Sequence, residues 1–295
     1  MKIYMAGVGG MLGAAFYDHF CKENELLCSD INPQDHWLHK IDFRDKESYS
    51  QDVIDFKPDW LFHIGAHTDL EYCEKNPDDA YATNTESVKT AVEISNYLSI
   101  PLFYVSTAGI FSGSKEFFDE RDLPKPLGHY GKSKYEGEKF IVNNSKSYLI
   151  CRAGWMMGGG KRKDKKFVAK IINQILDGKE KLNIVDDKDG TPTYTHDFSK
   201  NVSHLISNKK RGLYNMVCSG MTSRLEVAYK ILNILGLDDV ITIKPVPSSF
   251  FSDTYFADRP PNERLISRRL DMEGMNIMQD WQIALNHYLK EEYIP

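Results

Sequence analysis

The chain opens on a short apolar run, Lys2-Ile-Tyr-Met-Ala6, which passes directly into Gly7-x-x-Gly10-x-x-Gly13 and then into a helix-forming stretch from Ala14 to Phe20. No other segment narrows the fold as far. Closely spaced glycines permit a tight bend and close backbone approach to a ligand, and a helix starting on such a turn presents N–H groups to phosphate. Strand, glycine turn and helix in this order open a parallel α/β sheet that binds a dinucleotide. The spacing departs from G-x-G-x-x-G, because Leu12 stands where that version has its last glycine. Gly7, Gly10, Met11, Leu12 and Gly13 are therefore expected around the pyrophosphate. Asp30 closes the next apolar strand (Glu25 to Ser29), 20 residues after Gly10, and with Ile31 is expected at the adenosine ribose. No Lys or Arg occurs from Ile31 to His39, which favours NAD(H) and leaves NADP(H) open.

The first half of the chain alternates strands with helices, which implies a doubly wound parallel sheet covered on both faces. Trp60 to Ala66, Pro101 to Thr107 and Ser147 to Trp155 read as strands, and Ala80 to Leu98 and Tyr130 to Asn143 as helices. Phe111 to Gly128, rich in Gly, Asp and Pro, reads as a long surface loop, and a loop of that length in a compact domain is usually functional. After Trp155 the pattern changes. Gly158-Gly-Gly160 and the basic run Lys161 to Lys166 precede a helix from Phe167 to about Leu176. Leu182 to Asp186 and Leu213 to Cys218 read as strands around a helix from Asp197 to Asn208. Ser223-x-x-Glu226 is a capping box opening a helix to Leu235, and Asp280 to Leu289 forms a last amphipathic helix. The division expected is a dinucleotide-binding domain over 1–157 and a smaller domain over 158–295, with about 183–218 rejoining the first.

Composition sets the class. At 295 residues the chain can bury a sizeable core, and its net charge of −5 gives no reason to expect a nucleic-acid partner. Five scattered cysteines, without a C-x-x-C pair, read as reduced core residues of a cytoplasmic protein, and no metal ligands are assigned. The glycine-broken start is no signal peptide, and no apolar run approaches the ~20 residues of a membrane span. Nothing sets the oligomeric state, and a homodimer is left open.

Tyr130-Gly-Lys-Ser-Lys134 carries the chemistry. Residues four apart on a helix share a face, so the Lys134 ammonium is expected beside the Tyr130 hydroxyl, where it would draw a pKa of about 10 toward neutrality. A phenol so tuned can exchange a proton with a substrate oxygen. Ser106-Thr107 lies upstream as a source of a second hydroxyl.

These residues resemble the extended short-chain dehydrogenase/reductases and, within them, the dTDP-4-dehydrorhamnose reductase family. The resemblance spans Gly7-x-x-Gly10-x-x-Gly13, Ala80-x-x-x-Asn84, Ser106-Thr107-x-x-x-Phe111-x-Gly113, Tyr130-Gly-Lys-Ser-Lys134 and Arg152-x-x-Trp155. It continues through Asp187-x-x-Gly190-x-Pro192-Thr193, Arg259-Pro260-x-Asn262-x-x-Leu265 and Asp280-Trp281-x-x-Ala284-Leu285. It implies a Rossmann-type domain for the nicotinamide dinucleotide, a smaller C-terminal domain closing over a nucleotide sugar, and hydride transfer to a ketone carbon. By the same resemblance Tyr130 is the catalytic tyrosine, Lys134 its partner and Thr107 the hydroxyl donor to the reacting oxygen. Two departures stand out. Ala108-Gly109 follows the threonine where the family commonly has Asp-Tyr, and His67 replaces a tyrosine after the third strand, which puts the identity of the sugar in doubt.

Other positions have two readings each. Gly65 and Ala66 are small where backbone approaches the cofactor. His67, with Thr68 on the substrate side, sits where ligands of open sheets bind, or packs against Asp69. Asp42-Phe43 matches an adenine-contacting pair or is a simple turn. Trp155, with Ala108, walls the sugar pocket or is core. The Lys161 to Lys166 run neutralises a diphosphate or is solvated. Arg259 binds phosphate or pairs with Asp258 or Glu263. The aromatics Phe250, Phe251, Tyr255 and Phe256 read as packing. The functions in competition are a nucleotide-sugar reductase, an epimerase that keeps its cofactor, and a non-catalytic NAD(P)-binding regulatory subunit.

Overall fold

The structure, a computed structural model, describes residues 1–294; Pro295, the end of the expected second domain, lies outside them. In chain order the strands are β1 (Lys2–Ala6), β2 (Glu25–Asp30), β3 (Leu38–Lys40), β4 (Trp60–His63), β5 (Leu102–Thr107), β6 (Tyr148–Ala153), β7 (Trp155–Met157), β8 (Lys181–Val185), β9 (Asp189–Gly190), β10 (Pro192–Tyr194), β11 (Gly212–Asn215), β12 (Thr222–Ser223), β13 (Thr242–Val246) and β14 (Asn262–Glu263). Seven of them form one sheet in the order β11-β6-β5-β4-β1-β2-β3, all paired in parallel. Successive side chains of a strand point to opposite faces. Ile3 and Met5 thus enter a core with Phe16, Phe62, Phe103 and Phe198, while Tyr4 and Ala6 enter another with Tyr49, Val88, Tyr104 and Ile150. Helices Met11–Phe20 and Thr195–Ser207 cover the first face, and Lys46–Phe56, Ser87–Leu98 and His129–Asn144 the second. Strand order reverses between β1 and β4, and in an open parallel sheet the crevice beyond the strand ends at that switch point takes the ligand.

Three small sheets, β13 with β8, β12-β9-β14, and β10 with β7, stand apart from the large one. They correct one expectation. The Leu182 segment does not rejoin the large sheet; β8 pairs with β13. Its burial explains why: Leu182 and Ile184 point inward while Lys181 is exposed, so only one face suits an interior, and a strand of a two-sided sheet needs both. The chain returns to the large sheet later, through helix Thr195–Ser207 against Met11–Phe20 and β11 beside β6. This last strand stops at Asn215 rather than Cys218, because the Cys218 N–H turns to the Pro192 carbonyl.

Smaller corrections follow the same logic. β4 ends at His63, short of Ala66, because Gly65 is drawn against Gly7. The expected helix over 80–98 contains a π-helical turn at Ala82–Glu86. The Phe111–Gly128 stretch is anchored rather than superficial: Phe111 and Phe118 are buried and stacked at 4.4 Å, and the Phe118 N–H donates to the Arg264 carbonyl. Phe250, Tyr255 and Phe256, expected to pack, are exposed, and Cys21 is exposed while the other four cysteines are buried. No described helix is long and apolar enough to cross a membrane.

Candidate active site

At the switch point two backbones nearly touch. Gly7 takes φ +72°, and a Cβ there would stand 2.3 Å from Cα of Gly65, so neither strand end tolerates a side chain. A Cβ on Gly13 would meet the Val8 carbonyl at 2.1 Å, which fixes how closely the first helix packs on its own turn. Gly10 differs: nothing lies within 4 Å of its Cβ direction, and it caps the helix without any side-chain bond. The first N–H groups of that helix therefore face open space, as a phosphate site requires. Met11 is half-buried, whereas Leu12 points into the core and offers a ligand only backbone.

Asp30 stands beside this turn, accepting the Gly9 N–H at 2.7 Å and the Asn32 N–H at 3.0 Å, with Ile31 exposed next to it. The basic run divides: Arg162 and Lys163 land here, whereas Lys166 reaches Thr68. Lys163 Nζ donates to the Gly9 carbonyl at 2.8 Å and to Asp35 at 2.6 Å, and Arg162 pairs with the same carboxylate. Phe43 fills the space beside Gly65, edge-on to His63, while Asp42 is gripped by Arg44, whose hydrogen bonds hold its carboxyl below the usual range.

Along the crevice the reacting groups converge. Thr107, at the end of β5, accepts the Gly109 N–H at 3.1 Å and stands beside Tyr130. Around the missing side chain of Gly109 stand a Tyr130 ring carbon at 3.4 Å, the Thr107 hydroxyl at 3.5 Å and a Glu263 carboxylate oxygen at 3.5 Å. Ala108 is buried beside them. Lys134 corrects the simple helical-turn argument. Its ammonium turns away from the phenol, donates to the Val105 carbonyl at 2.8 Å and lies 4.1 Å from the Tyr104 ring centre. Burial pulls the Lys134 pKa down to about 7. Burial pushes the Tyr130 hydroxyl up to about 12, with the Thr107 hydroxyl acting in the opposite direction. The phenol of this ligand-free state is thus protonated at neutral pH, not a phenolate.

His67 does not pack against Asp69. Its ring pairs with Asp79 at 2.8 Å and stacks on Tyr72, while Asp69 caps the helix that follows. The His67 backbone is clamped by Asn84, which accepts its N–H at 2.9 Å, donates to its carbonyl at 3.1 Å and donates to Ser133 on the Tyr130 helix. Asn84 sits in the π turn, a distortion that recurs at functional sites. Ala66 lines the same loop, and Thr68 is exposed and receives Lys166 at 3.1 Å.

At the far end Trp155 lies on Gly190, donates its Nε1–H to Glu263 at 2.8 Å, and carries the Arg224 guanidinium 3.7 Å above its ring centre. Arg259 is committed to Glu71 at 2.7 Å, and not to Asp258 or Glu263. Sequence reasoning missed Asn84, Glu263 and Arg224. Asn84 belonged to a recognised motif without a role, Glu263 entered only as a partner for Arg259, and Arg224 was hidden inside a helix-capping pattern.

A parallel sheet with an uncapped glycine-turn helix at its switch point, and Thr107, Tyr130 and Lys134 beyond the adjoining strand, defines a dinucleotide-binding α/β protein of the short-chain dehydrogenase/reductase class. The chain belongs to the family described as RmlD substrate binding domain, which it matches over residues 1–294. It is 26% identical to a dTDP-4-dehydrorhamnose reductase of Escherichia coli strain K12, over 99% of this chain and 98% of that one. With the spore coat polysaccharide biosynthesis protein SpsK of Bacillus subtilis it shares 29% identity over 98% and 97% of the two chains. The solved dTDP-4-dehydrorhamnose reductase of Bacillus anthracis, in complex with NADP, superposes with a TM-score of 0.88 at 27% identity, covering 98% of this chain and 99% of that one.

Proposed function

We propose that the protein is an NAD(P)H-dependent reductase of a nucleotide-linked 4-keto-6-deoxy sugar, serving polysaccharide synthesis. The observation that carries this reading is the convergence of Thr107, Tyr130 and Glu263 around Gly109, where a side chain would be in contact with all three. The bound nicotinamide supplies the hydride. Gly7, Gly10, Gly13 and Asp30 hold the dinucleotide, and Gly65, Ala66 and His67 border its reactive end. Tyr130, protonated at neutral pH, gives its proton to the oxygen that becomes an alkoxide, a much stronger base than a phenolate. Thr107 donates a hydrogen bond to the same oxygen and steadies its developing charge. NADH is the preferred cofactor in this reading, because Asp30 is placed for the ribose hydroxyls while Arg162 and Lys163 are neutralised by Asp35. The likeness to the E. coli and B. anthracis reductases supports dTDP-4-dehydrorhamnose as the substrate.

The test is loss of reduced-nicotinamide absorbance with dTDP-4-dehydrorhamnose, beside a panel of other nucleotide-linked 4-keto sugars. Stoichiometric oxidation with one of them is expected. Binding of reduced cofactor without oxidation by any of them overturns the reductase and moves the epimerase and regulatory-subunit readings ahead.

A further inference from the structure

Among the described residues the arginines of the crevice are spoken for, with one exception. Arg259 is bound by Glu71 and Arg264 by Asp189, and Arg152 is held inside the fold by Glu138. The nearby lysines are also committed, Lys188 to the Arg259 carbonyl and Lys166 to Thr68. Arg224 makes no salt bridge and no side-chain hydrogen bond. It is half-buried, 3.7 Å over Trp155 and 4.6 Å over Phe167, and Ser223 with Glu226 already satisfies the helix end beside it. None of its five N–H donors is bonded among the described residues, so they remain for a ligand while the rings hold the group by cation–π contact. Burial lowers its pKa to about 10, the nearby Arg259 adds to this, and Glu263 opposes it; the group still carries a full charge at pH 7.

The carboxylate across the indole is half-used in the same way. Glu263 Oε2 takes the Trp155 N–H, while Oε1 faces the space at Gly109 beside Tyr130 and Thr107. Trp155 thus separates an acceptor at the reacting centre from an unpaired cation farther out.

We propose that Arg224 binds the diphosphate of the nucleotide-linked sugar, while Glu263 accepts a hydrogen bond from a sugar hydroxyl next to the reacting ketone. The inference rests on the nucleotide-sugar reading given above and assigns its phosphate contact to a residue other than Arg259. The chemistry matches a sugar with hydroxyl donors at the ketone end and an anion at the anomeric end. Arginine suits that anion because its fork donates two parallel hydrogen bonds to phosphate oxygens. Arg259 is a positioning residue, which acts through Glu71 to tie the C-terminal segment to helix Leu70–Lys75.

Calorimetric titration with dTDP and with UDP tests this without turnover. Arg224→Gln is expected to weaken both by roughly 10- to 100-fold, the loss of one or two charge-assisted hydrogen bonds, with NADH affinity unchanged. Arg224→Lys should recover part of the loss. Glu263→Gln is expected to leave nucleoside diphosphate affinity within about twofold while raising KM for the keto sugar, since the lost contact is with the sugar alone. The melting temperature of Arg224→Gln should change little, because the loss of the cation–π contact is offset by removing an unpaired, desolvated charge. Wild-type turnover together with undiminished dTDP binding by Arg224→Gln overturns the inference and spares the reductase reading. Loss of dTDP binding in Arg259→Gln but not in Arg224→Gln returns the phosphate to Arg259. A wild type that binds neither diphosphate overturns both.

Discussion

At the glycine-turn end of the crevice the exposed surface is backbone, and its shape follows from Gly7, Gly13 and Gly65, which cannot be replaced without collision. At the end proposed for the sugar the groups are side chains, and Thr107, Tyr130, Trp155, Arg224 and Glu263 arrive on five different elements. The first end is preformed by close packing. The second depends on how β9, β14 and the capped helix Arg224–Leu235 sit against β7. A backbone cradle suits a cofactor common to many proteins, whereas a side-chain pocket allows the sugar to change without disturbing the sheet.

The sharpest break between the two ends should come from Tyr130→Phe. It is expected to lower turnover at least ~100-fold while NADH still binds, and unchanged turnover would remove Tyr130 from the reaction. Next come two glycines of the same turn with opposite outcomes. Gly13→Ala is expected to cost about 1–3 kcal/mol of stability, read as a fall in melting temperature, since its Cβ collides with the Val8 carbonyl. Gly10→Ala should melt as the wild type does but bind cofactor more weakly, because its Cβ enters only the ligand space. Equal effects at both positions would mean that the open space is not the pyrophosphate site.

Two buried titratable groups, Lys134 and His63, lie on the second face of the sheet and give separate pH windows. Folding lowers the Lys134 pKa from 10.5 to about 7, so between those values the unfolded chain holds the extra proton and stability rises with pH. The ligand-free protein should therefore gain melting temperature from pH 7 to pH 10 relative to Lys134→Met, which loses this slope. His63, buried between Tyr49 and Ser87, falls from 6.5 to about 3 through burial. Its contribution is intact above pH 6.5 and is lost as the pH falls toward 3; a His63→Gln variant with the same acid profile would contradict this. The smallest effect is at the ribose. Asp30→Ala should weaken NADH by several-fold more than NADPH, roughly the value of one charge-assisted hydrogen bond. Equal losses would show that Asp30 does not read the ribose.

Much of the first end was legible in the chain because its determinants are local. A strand, a glycine turn and a helix within the first twenty residues point to one kind of fold, and the Asp30 carboxylate follows at the end of the next strand. That β1, β2, β4, β5 and β6 lie parallel in one sheet followed from alternating strands and helices. Local reasoning failed where a side chain had a choice of partners. Helical spacing correctly put Tyr130 and Lys134 on one helix, but the buried ammonium found the Val105 carbonyl rather than the phenol. The basic run was visible as charge, yet only the folded chain sends Lys163 to Gly9 and Asp35. Arg259 had two acidic neighbours in sequence and took a third, Glu71, from 188 residues away.

The sequence by itself determined the parallel sheet and the tight glycine turn, and it put Thr107 at a strand end and Tyr130 with Lys134 on one helix, because periodicity and turn chemistry act over a few residues. Only the tertiary structure decided which charges are paired and which are left for a ligand. Glu263 reaches Trp155 across 108 residues of chain, and Arg224 stays unpaired because the nearby carboxylates already serve other donors. Pairing among charges is a competition in space, settled by desolvation and geometry once the elements have packed.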